Sequence, residues 1–533
     1  MPEEALPRPT FRRSPAVPSA RARLHRTLAG LAASAALAVL TGQAHGAGAG
    51  ASDPGRDARG RAVGSLSFTP CVLGDGGVVP TQTAVCSSLE VPENWDAPEG
   101  RHIRLRVALV RRDGGQGPAD PVVFLDGGPG GAATHDYPAV AAALAPVLRR
   151  RDLVMVDQRG TGDSHPLHCP QAPDLAEGPQ GGGTDAARSL RESDAAIDQC
   201  LAALAPVADV RRYTTTEAVR DLEAVRMALG LARWNIYAVS YGTRVAQQYA
   251  ARYPQAVRSL VLDSPVPNRL VLLSEHARNM EHALRARLMA CRADPDCRQR
   301  YGDLYPQLAP LAARLAAAPV QVEYRDARND APRHAQFGRD TLATLLRFYL
   351  YSDTTSALLP QVIDAVRGGH YAQALAQQHL VLDQLDVQVG GALSASVLCS
   401  EDADLLRPDP ADAATLMGDG PVRAAQRACA RWPRGTLPAG FRAPFAGPMP
   451  TLLLAGEFDP VTPPAYAREI AAGLSRAHVL EAPAQGHAVV GAGCMPRLVA
   501  AFVDRPAEPL AGTDCLQRLR RTPEFLDASG GAP

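Results

Sequence analysis

The chain has 533 residues, enough for one large domain with a substantial insertion or for two domains. Its 55 basic residues balance 55 acidic ones, so net charge gives no ground for a nucleic-acid or anionic membrane partner. Every basic residue is arginine, and the absence of lysine excludes a Ser-Lys dyad, a Schiff base and a phosphate-loop lysine.

At the start, Arg12, Arg13, Arg21, Arg23 and Arg26 precede an apolar run from Leu28 to Leu40. Small residues follow, with cleavage sites near Ala44 or Ala47, and the pattern predicts an export signal over residues 1–46. The run falls short of the roughly 20 residues a spanning helix needs, so no membrane anchor is expected after cleavage. The expected location is the periplasm or the extracellular medium. Residues 47–66 read as a flexible leader.

From Cys71 to Arg112 the pattern is β-like, and Arg101–Arg111 alternates charged and apolar residues. Strand-like apolar runs follow at Pro121–Leu125, Leu153–Val156, Trp234–Val239, Leu260–Leu262 and Thr451–Leu454. Helical stretches alternate with them. Thr214–Glu217 reads as a capping box opening a helix to about Leu229, with further helices at Gly242–Tyr253 and Pro463–Leu474. This alternation predicts an α/β fold, a mostly parallel, doubly wound sheet covered on both faces. Residues 67–267 and 449–533 would form its two parts. Between them, residues 268–448 are rich in Arg, Ala and Leu, without clear buried strands, and read as an inserted helical cap. The polar stretch Gln171–Arg188 reads as a surface loop tied by Cys169 and Cys200.

All ten cysteines follow the expected signal, and an even count in an exported chain favours disulfides. Pairing neighbours in order, from Cys71–Cys86 to Cys494–Cys515, closes five short loops and is the preferred connectivity. No cysteine has histidine partners at metal-ligand spacing, and neither a metal nor an organic cofactor is expected.

The chemistry concentrates after the strands. Ala238-Val-Ser-Tyr-Gly242, between a strand and a helix, matches the nucleophile elbow G-x-S-x-G with Ala for the first Gly, making Ser240 the candidate nucleophile. Asp126-Gly-Gly-Pro-Gly-Gly131 is a turn able to aim backbone N–H groups into a site. An oxyanion hole needs two such donors: Tyr241, after the nucleophile, supplies one and Gly128 is the expected other, with Gly127 its near neighbour. Asp157 and Arg159 read as bracing residues, an ion pair or a turn network. Near the C-terminus, Asp459 and His487 each follow a strand, the second of them Ala477–Leu480. Serine needs a base and the base needs an orienting acid, so the order Ser240, Asp459, His487 describes a triad with Glu457 as rival acid.

Taken together, FLDGGPGG, VDQRGTGDS, YAVSYGTRVAQQYAARYP, VLDSPVP, LLLAGEFDPVTPP, QGHAVV and the tail from Cys494-Met-Pro496 to Cys515 resemble the proline iminopeptidase and tripeptidyl aminopeptidase branch of the α/β-hydrolases. The resemblance runs from about Cys86 to Cys515 and implies the α/β-hydrolase fold and the same triad. Two departures are Asp126, where the family usually has His or Asn, and Ala238 in the elbow. Iminopeptidases bind the substrate's free α-amine with acidic cap residues, for which the candidates here are Glu401 and Asp402. The alternative for both is a solvated helix-cap acid. The expected function is therefore an exported serine exopeptidase acting on peptides with a free N-terminus. A carboxylesterase or other acyl hydrolase on the same scaffold is the alternative. A non-catalytic relative would need a broken triad, and all the expected residues are present.

Overall fold

Short apolar runs bounded by Gly, Pro and Asp form the middle of one large sheet in the computed structural model, which describes residues 62–74, 81–115, 117–169, 186–326, 329–385, 391–527 and 530–531. The expected signal, the leader up to residue 61 and residues 171–185 of the expected loop lie outside the described residues, while its end, Ala186–Arg188, opens helix Ala186–Leu204. The sheet strands are β1 (Thr69–Leu73), β2 (Gln82–Pro92), β3 (His102–Val110), β4 (Val122–Leu125), β5 (Leu153–Val156), β6 (Trp234–Val239), β7 (Val257–Asp263), β8 (Thr451–Gly456) and β9 (Ala477–Ala482). Their order is β9-β8-β7-β6-β4-β5-β3-β2-β1; the first six are parallel, and β3, β2 and β1 add antiparallel pairs at one edge.

Burial follows from this order. Every residue of β4, β5 and β8 is buried, because helices cover both faces there. Val122 and Phe124 turn toward helices Ala133–Leu148 and Met495–Asp504, while Val123 and Leu125 turn toward Thr215–Ala228, Tyr241–Arg252 and Pro464–Ala472. Each such side chain, fully buried, contributes roughly 1.5–3 kcal/mol relative to exposure. Thr214 caps its helix by accepting the Glu217 amide at 3.4 Å, but the Glu217 carboxylate faces Arg212 and Arg220 instead of returning to the cap. Residues 62–66, read as the end of a leader, are folded: Ala62–Val63 pairs with Leu66–Ser67, and Ser65 N donates to Ala228 O.

In register, Leu125 pairs with Ala238, Val239 with Asp263, and Asp263 with Leu454. The carboxyl ends of β4, β6, β7 and β8 therefore stand level, and the residues just beyond them share one edge of the sheet.

Over that edge lies a mostly helical region with its own apolar cluster, which includes Leu284, Leu288, Phe337, Leu346 and Ile363. The region, read as a helical cap without clear buried strands, also holds a mostly half-exposed antiparallel hairpin, Val320–Arg325 with Pro332–Phe337. Val320, Val322 and Tyr324 alternate with Gln321, Glu323 and Arg325, but only Tyr324 is fully buried, so the run carries little apolar signal. Helix Ala392–Glu401 packs Leu393, Val397 and Cys399 into the main core. The chain end also reaches this region: Phe525 N donates to Ala357 O, Tyr301 Oη to Phe525 O, and Thr522 N to Asp353 Oδ2. The five disulfides are Cys71–Cys86, Cys169–Cys200, Cys291–Cys297, Cys399–Cys429 and Cys494–Cys515. No helix among the described residues is long and apolar enough to cross a membrane.

Candidate active site

Ser240 sits in the sharp turn between β6 and helix Tyr241–Arg252, with φ 53° and ψ −126°. A positive φ at a residue other than glycine costs about 1–3 kcal/mol and persists only where its surroundings enforce it. Here Ser240 N donates to Asp263 O at 2.9 Å, and the Thr243 amide and hydroxyl donate to Ser240 O at 2.9 and 2.6 Å. Gly242 has to be small, since a Cβ there would stand 2.5 Å from the carbonyl oxygens of Leu125 and Asp126. The helix begins directly behind Ser240, where its unpaired amides and dipole favour negative charge.

The Asp126–Gly131 turn faces the serine. A Cβ on Gly127 would lie 3.0 Å from Ser240 Cβ, a contact tight enough to push the serine aside by a few tenths of an ångström. Gly127 N is already engaged, donating to Asp126 Oδ1 at 2.7 Å, and Gly128 adopts φ 111°. From above, Ser394 Oγ donates to Pro129 O and holds the turn against helix Ala392–Glu401. Tyr241, the residue after the serine, directs its hydroxyl to Thr215 Oγ1 at 2.7 Å.

The candidate acid and base, Asp459 and His487, follow β8 and β9. His487 Nδ1 donates to Asp459 Oδ2 at 2.8 Å, in a site where the carboxylate is 2% exposed. Asp459 Oδ1 accepts the Val461 and Thr462 amides, and Oδ2 also accepts the Thr462 hydroxyl at 2.9 Å. Burial pushes this carboxyl up, but the His487 ring and these hydrogen bonds outweigh it and hold the pKa below the usual carboxylate range. Glu457 turns away and accepts the Ala484 amide at 2.8 Å. Thr462, whose hydroxyl also lies 3.3 Å from His487 Nδ1, has no motif of its own in the sequence; the spacing Asp459-Pro-Val-Thr462 is its only signal.

Among the described residues Ser240 and His487 share no direct hydrogen bond, a contact that commonly tightens only with substrate bound. They converge on Asp263 and Ser264. Asp263 O takes the Ser240 amide, its carboxylate takes the Val489 and Val490 amides at 2.9 Å, and Ser264 Oγ takes the Ala488 amide at 2.8 Å. Burial raises the Asp263 pKa to about 6 against the pull of those amides and the Tyr237 hydroxyl. On the other side, the His487 amide donates to Tyr351 O at 2.8 Å, and the two rings stand edge to face at 5.2 Å.

Glu401 and Asp402 are not solvated helix-cap acids: they are 2% and 1% exposed. Both face the buried Arg244, the fourth residue of the helix behind Ser240, with Nη1 at 3.5 and 3.1 Å. Asp402 also accepts from Arg442 Nη2 at 2.6 Å and from the Leu272 amide. Glu401 Oε1 accepts the Thr215 amide at 2.7 Å, while its Oε2 is buried without a hydrogen bond. Burial pushes the Glu401 pKa up to about 7, only partly offset by Arg244. The two bracing residues do not pair with each other. Asp157 accepts from Thr134 N and Oγ1, and Arg159 forks onto Asp221 at 2.7 and 2.6 Å. Among the described residues no cluster of His, Cys, Asp and Glu could hold a metal ion.

A family model for the alpha/beta hydrolase fold matches residues 120–491. The serine protease Hip1 of Mycobacterium tuberculosis is 26% identical over 498 residues, 84% of this chain and 91% of that protein. The tripeptidyl aminopeptidase of Streptomyces lividans is 28% identical over 232 residues, 40% of this chain and 42% of that one. Among solved structures, the proline iminopeptidase of Mycobacterium smegmatis covers 79% of this chain at 19% identity, with 98% of that chain covered and a TM-score of 0.40. With a family match running from β4 through the elbow to the His487 turn, the chain belongs to the α/β-hydrolase family.

Proposed function

We propose that the protein is an exported serine exopeptidase that removes residues or short peptides from free N-termini through an acyl-enzyme. The observation that carries this reading is the 2.8 Å bond from His487 Nδ1 to Asp459 Oδ2, which leaves Nε2 as the nitrogen for Ser240. Ser240 Oγ attacks the scissile carbonyl while His487 takes its proton. His487 then gives that proton to the leaving amine, and water hydrolyses the ester by the reverse route. Asp459, held ionised, fixes the tautomer and stabilises the imidazolium.

Negative charge on the tetrahedral intermediate falls to the amides of Gly128 and Tyr241. The engagement of Gly127 N by Asp126 supports Gly128 over its neighbour. Losing one such donor costs on the order of 3 kcal/mol of transition-state stabilisation. For the substrate's amine, Glu401 is favoured over Asp402: Arg244 faces both, but Asp402 is also held by Arg442, while Glu401 Oε2 keeps a lone pair without a hydrogen bond. The names of the relatives, a serine protease and a tripeptidyl aminopeptidase, support peptide substrates. Export is supported by the N-terminal pattern and by five disulfides.

The test compares a free-amino tripeptide anilide, its N-acetyl twin and a short nitrophenyl ester, using mature protein and Ser240→Ala. Cleavage of the free-amino peptide alone, lost in the variant, is the expected result. Ester cleavage with both peptides untouched would replace the exopeptidase by an acyl hydrolase on the same triad. Activity retained in Ser240→Ala would remove the serine from the mechanism.

A further inference from the structure

Arg347 belongs to helix Arg339–Tyr349 of the inserted region and reaches the His487 loop through Tyr351. Its Nη2 lies 3.4 Å from the Tyr351 hydroxyl and 3.4 Å from His276 Nδ1. Tyr351 is the residue whose carbonyl holds the His487 amide and whose ring meets the imidazole edge-on. His276 brings no negative charge, being an imidazole whose pKa burial, then Arg347 and His487, hold well below the usual histidine value.

Several other arginines of this region pair with carboxylates, while Arg339 of the same helix donates to the Leu416 and Thr415 carbonyls. Arg287 pairs with Asp353 and Glu524, and Arg278 with Asp409 and Asp412. Arg347 makes no such pair among the described residues; its other contact is the Phe348 ring, 5.9 Å from the guanidinium carbon. The nearby Asp459 is committed to His487 and Thr462. A half-buried guanidinium without a counter-ion is costly, and a carboxylate brought by a ligand would be bound by it through charge-assisted hydrogen bonds.

The chemistry fixes which part of a ligand passes here. The acyl half stays on Ser240 against the Gly127–Gly131 turn. The leaving half takes its proton from His487 Nε2 and therefore departs across the imidazole, the ring that Tyr351 meets edge-on, with Arg347 behind the Tyr351 hydroxyl. We infer that Arg347 is a binding site for a carboxylate on the leaving fragment, so that the preferred substrates are peptides whose leaving part ends in a free carboxylate or carries an acidic side chain. This rests on the triad proposed above and adds a specificity that the triad does not supply.

Three free-amino peptides with one acyl part test it: a leaving fragment with a free C-terminus, the same fragment amidated, and an amidated fragment containing aspartate. Acetyl esters of 4-hydroxybenzoate and 4-hydroxybenzamide repeat the comparison without a peptide bond. Wild-type kcat/KM should favour the carboxylate over its amide by about tenfold or more, the value of a hydrogen-bonded charge pair. In Arg347→Gln that ratio should fall toward one, and Arg347→Lys should restore part of it. The ratio cancels any general loss of activity in a variant. Rescue by aspartate in the amidated peptide would identify a side-chain carboxylate as sufficient; its failure would restrict the site to chain ends. Equal wild-type rates for acid and amide, or a ratio unchanged in Arg347→Gln, overturns the proposal. Esters cut while peptides are not would remove the exopeptidase reading, and the ester ratio then judges Arg347 alone. If neither series is hydrolysed, the site falls together with the triad.

Discussion

The carbonyl of Tyr351, from the inserted region, accepts the amide of His487 at 2.8 Å. The loop bearing the proposed base is thereby fastened from above, while Asp263 and Ser264 fasten it from the sheet below. Two close approaches make this possible. A Cβ on Gly486 would meet Tyr351 O at 2.4 Å and Leu350 O at 2.6 Å, and a Cβ on Gly456 would meet Gly486 O at 1.8 Å.

Gly486→Ala should therefore displace His487 without removing any chemical group. A shift of about 1 Å at a reacting group can cost about 100-fold, so kcat should fall by that order in a protein that remains folded. Circular dichroism and turnover of a nitrophenyl ester measure the two quantities. Wild-type turnover in Gly486→Ala would show that the loop does not need this fastening.

Asp459 and Glu457 should separate cleanly. Asp459→Asn keeps the shape but offers His487 the wrong hydrogen-bonding partner, and a loss of about 10⁴ in kcat is expected from the wrong tautomer. Glu457→Gln touches only the Ala484 amide at the surface and should stay within a few-fold of wild type. Thr462→Val removes one hydrogen bond to the ionised Asp459, for which about a tenfold loss is expected. The reverse ranking of Asp459 and Glu457 in kcat would exchange their roles.

These groups differ in how much of them the sequence discloses. The candidate residues Ser240, Asp459 and His487 can be picked out because each lies just past a short apolar strand, and the ends of β6, β8 and β9 carry them to one edge. The elbow glycine and the Gly-Gly-Pro-Gly turn mark close backbone approach, and they keep that meaning without a fold. Arg244 with Asp402 is another matter, because 158 residues separate them and nothing local shows that either is buried. Tyr351 acts through a backbone carbonyl, which leaves no signature in residue type. The hairpin at Val320–Phe337 alternates correctly, yet it is mostly half-exposed and lies among helix formers that obscure it.

Glu401 gives a prediction for stability against pH. Its pKa stands at about 7 in the fold, against an ordinary 4.5, mainly because of burial. Stability contributed by a carboxyl raised in this way is complete below about pH 4.5 and is lost as pH rises through about 7. Relative to Glu401→Gln, which cannot ionise, wild-type Tm should therefore decline across that window. Thermal melts of both proteins in a pH series give the answer. A wild-type Tm that instead gains on the variant with rising pH would mean that Arg244 holds Glu401 ionised.

The disulfides offer a graded test of how the Glu401 helix is held. Cys399 and Cys429 are almost wholly buried beside Val397 and Trp432, and their bond spans 30 residues, joining helix Ala392–Glu401 to helix Gly420–Arg431. Cys291–Cys297 spans only 6 residues at the end of one helix and the start of the next. Closing the longer loop takes more entropy from the unfolded chain, roughly 3–4 kcal/mol against roughly 2 kcal/mol for the shorter. Replacing Cys399 and Cys429 by serine should thus lower Tm more than the same change at Cys291 and Cys297. It should also reduce activity more, because Glu401 lies two residues beyond Cys399 and Ser394, which holds the Pro129 turn, lies five before it. Melting curves and ester turnover of the two double variants decide this. A larger effect from the Cys291–Cys297 pair would mean that the folding of the inserted region, and not the anchoring of the Glu401 helix, limits stability.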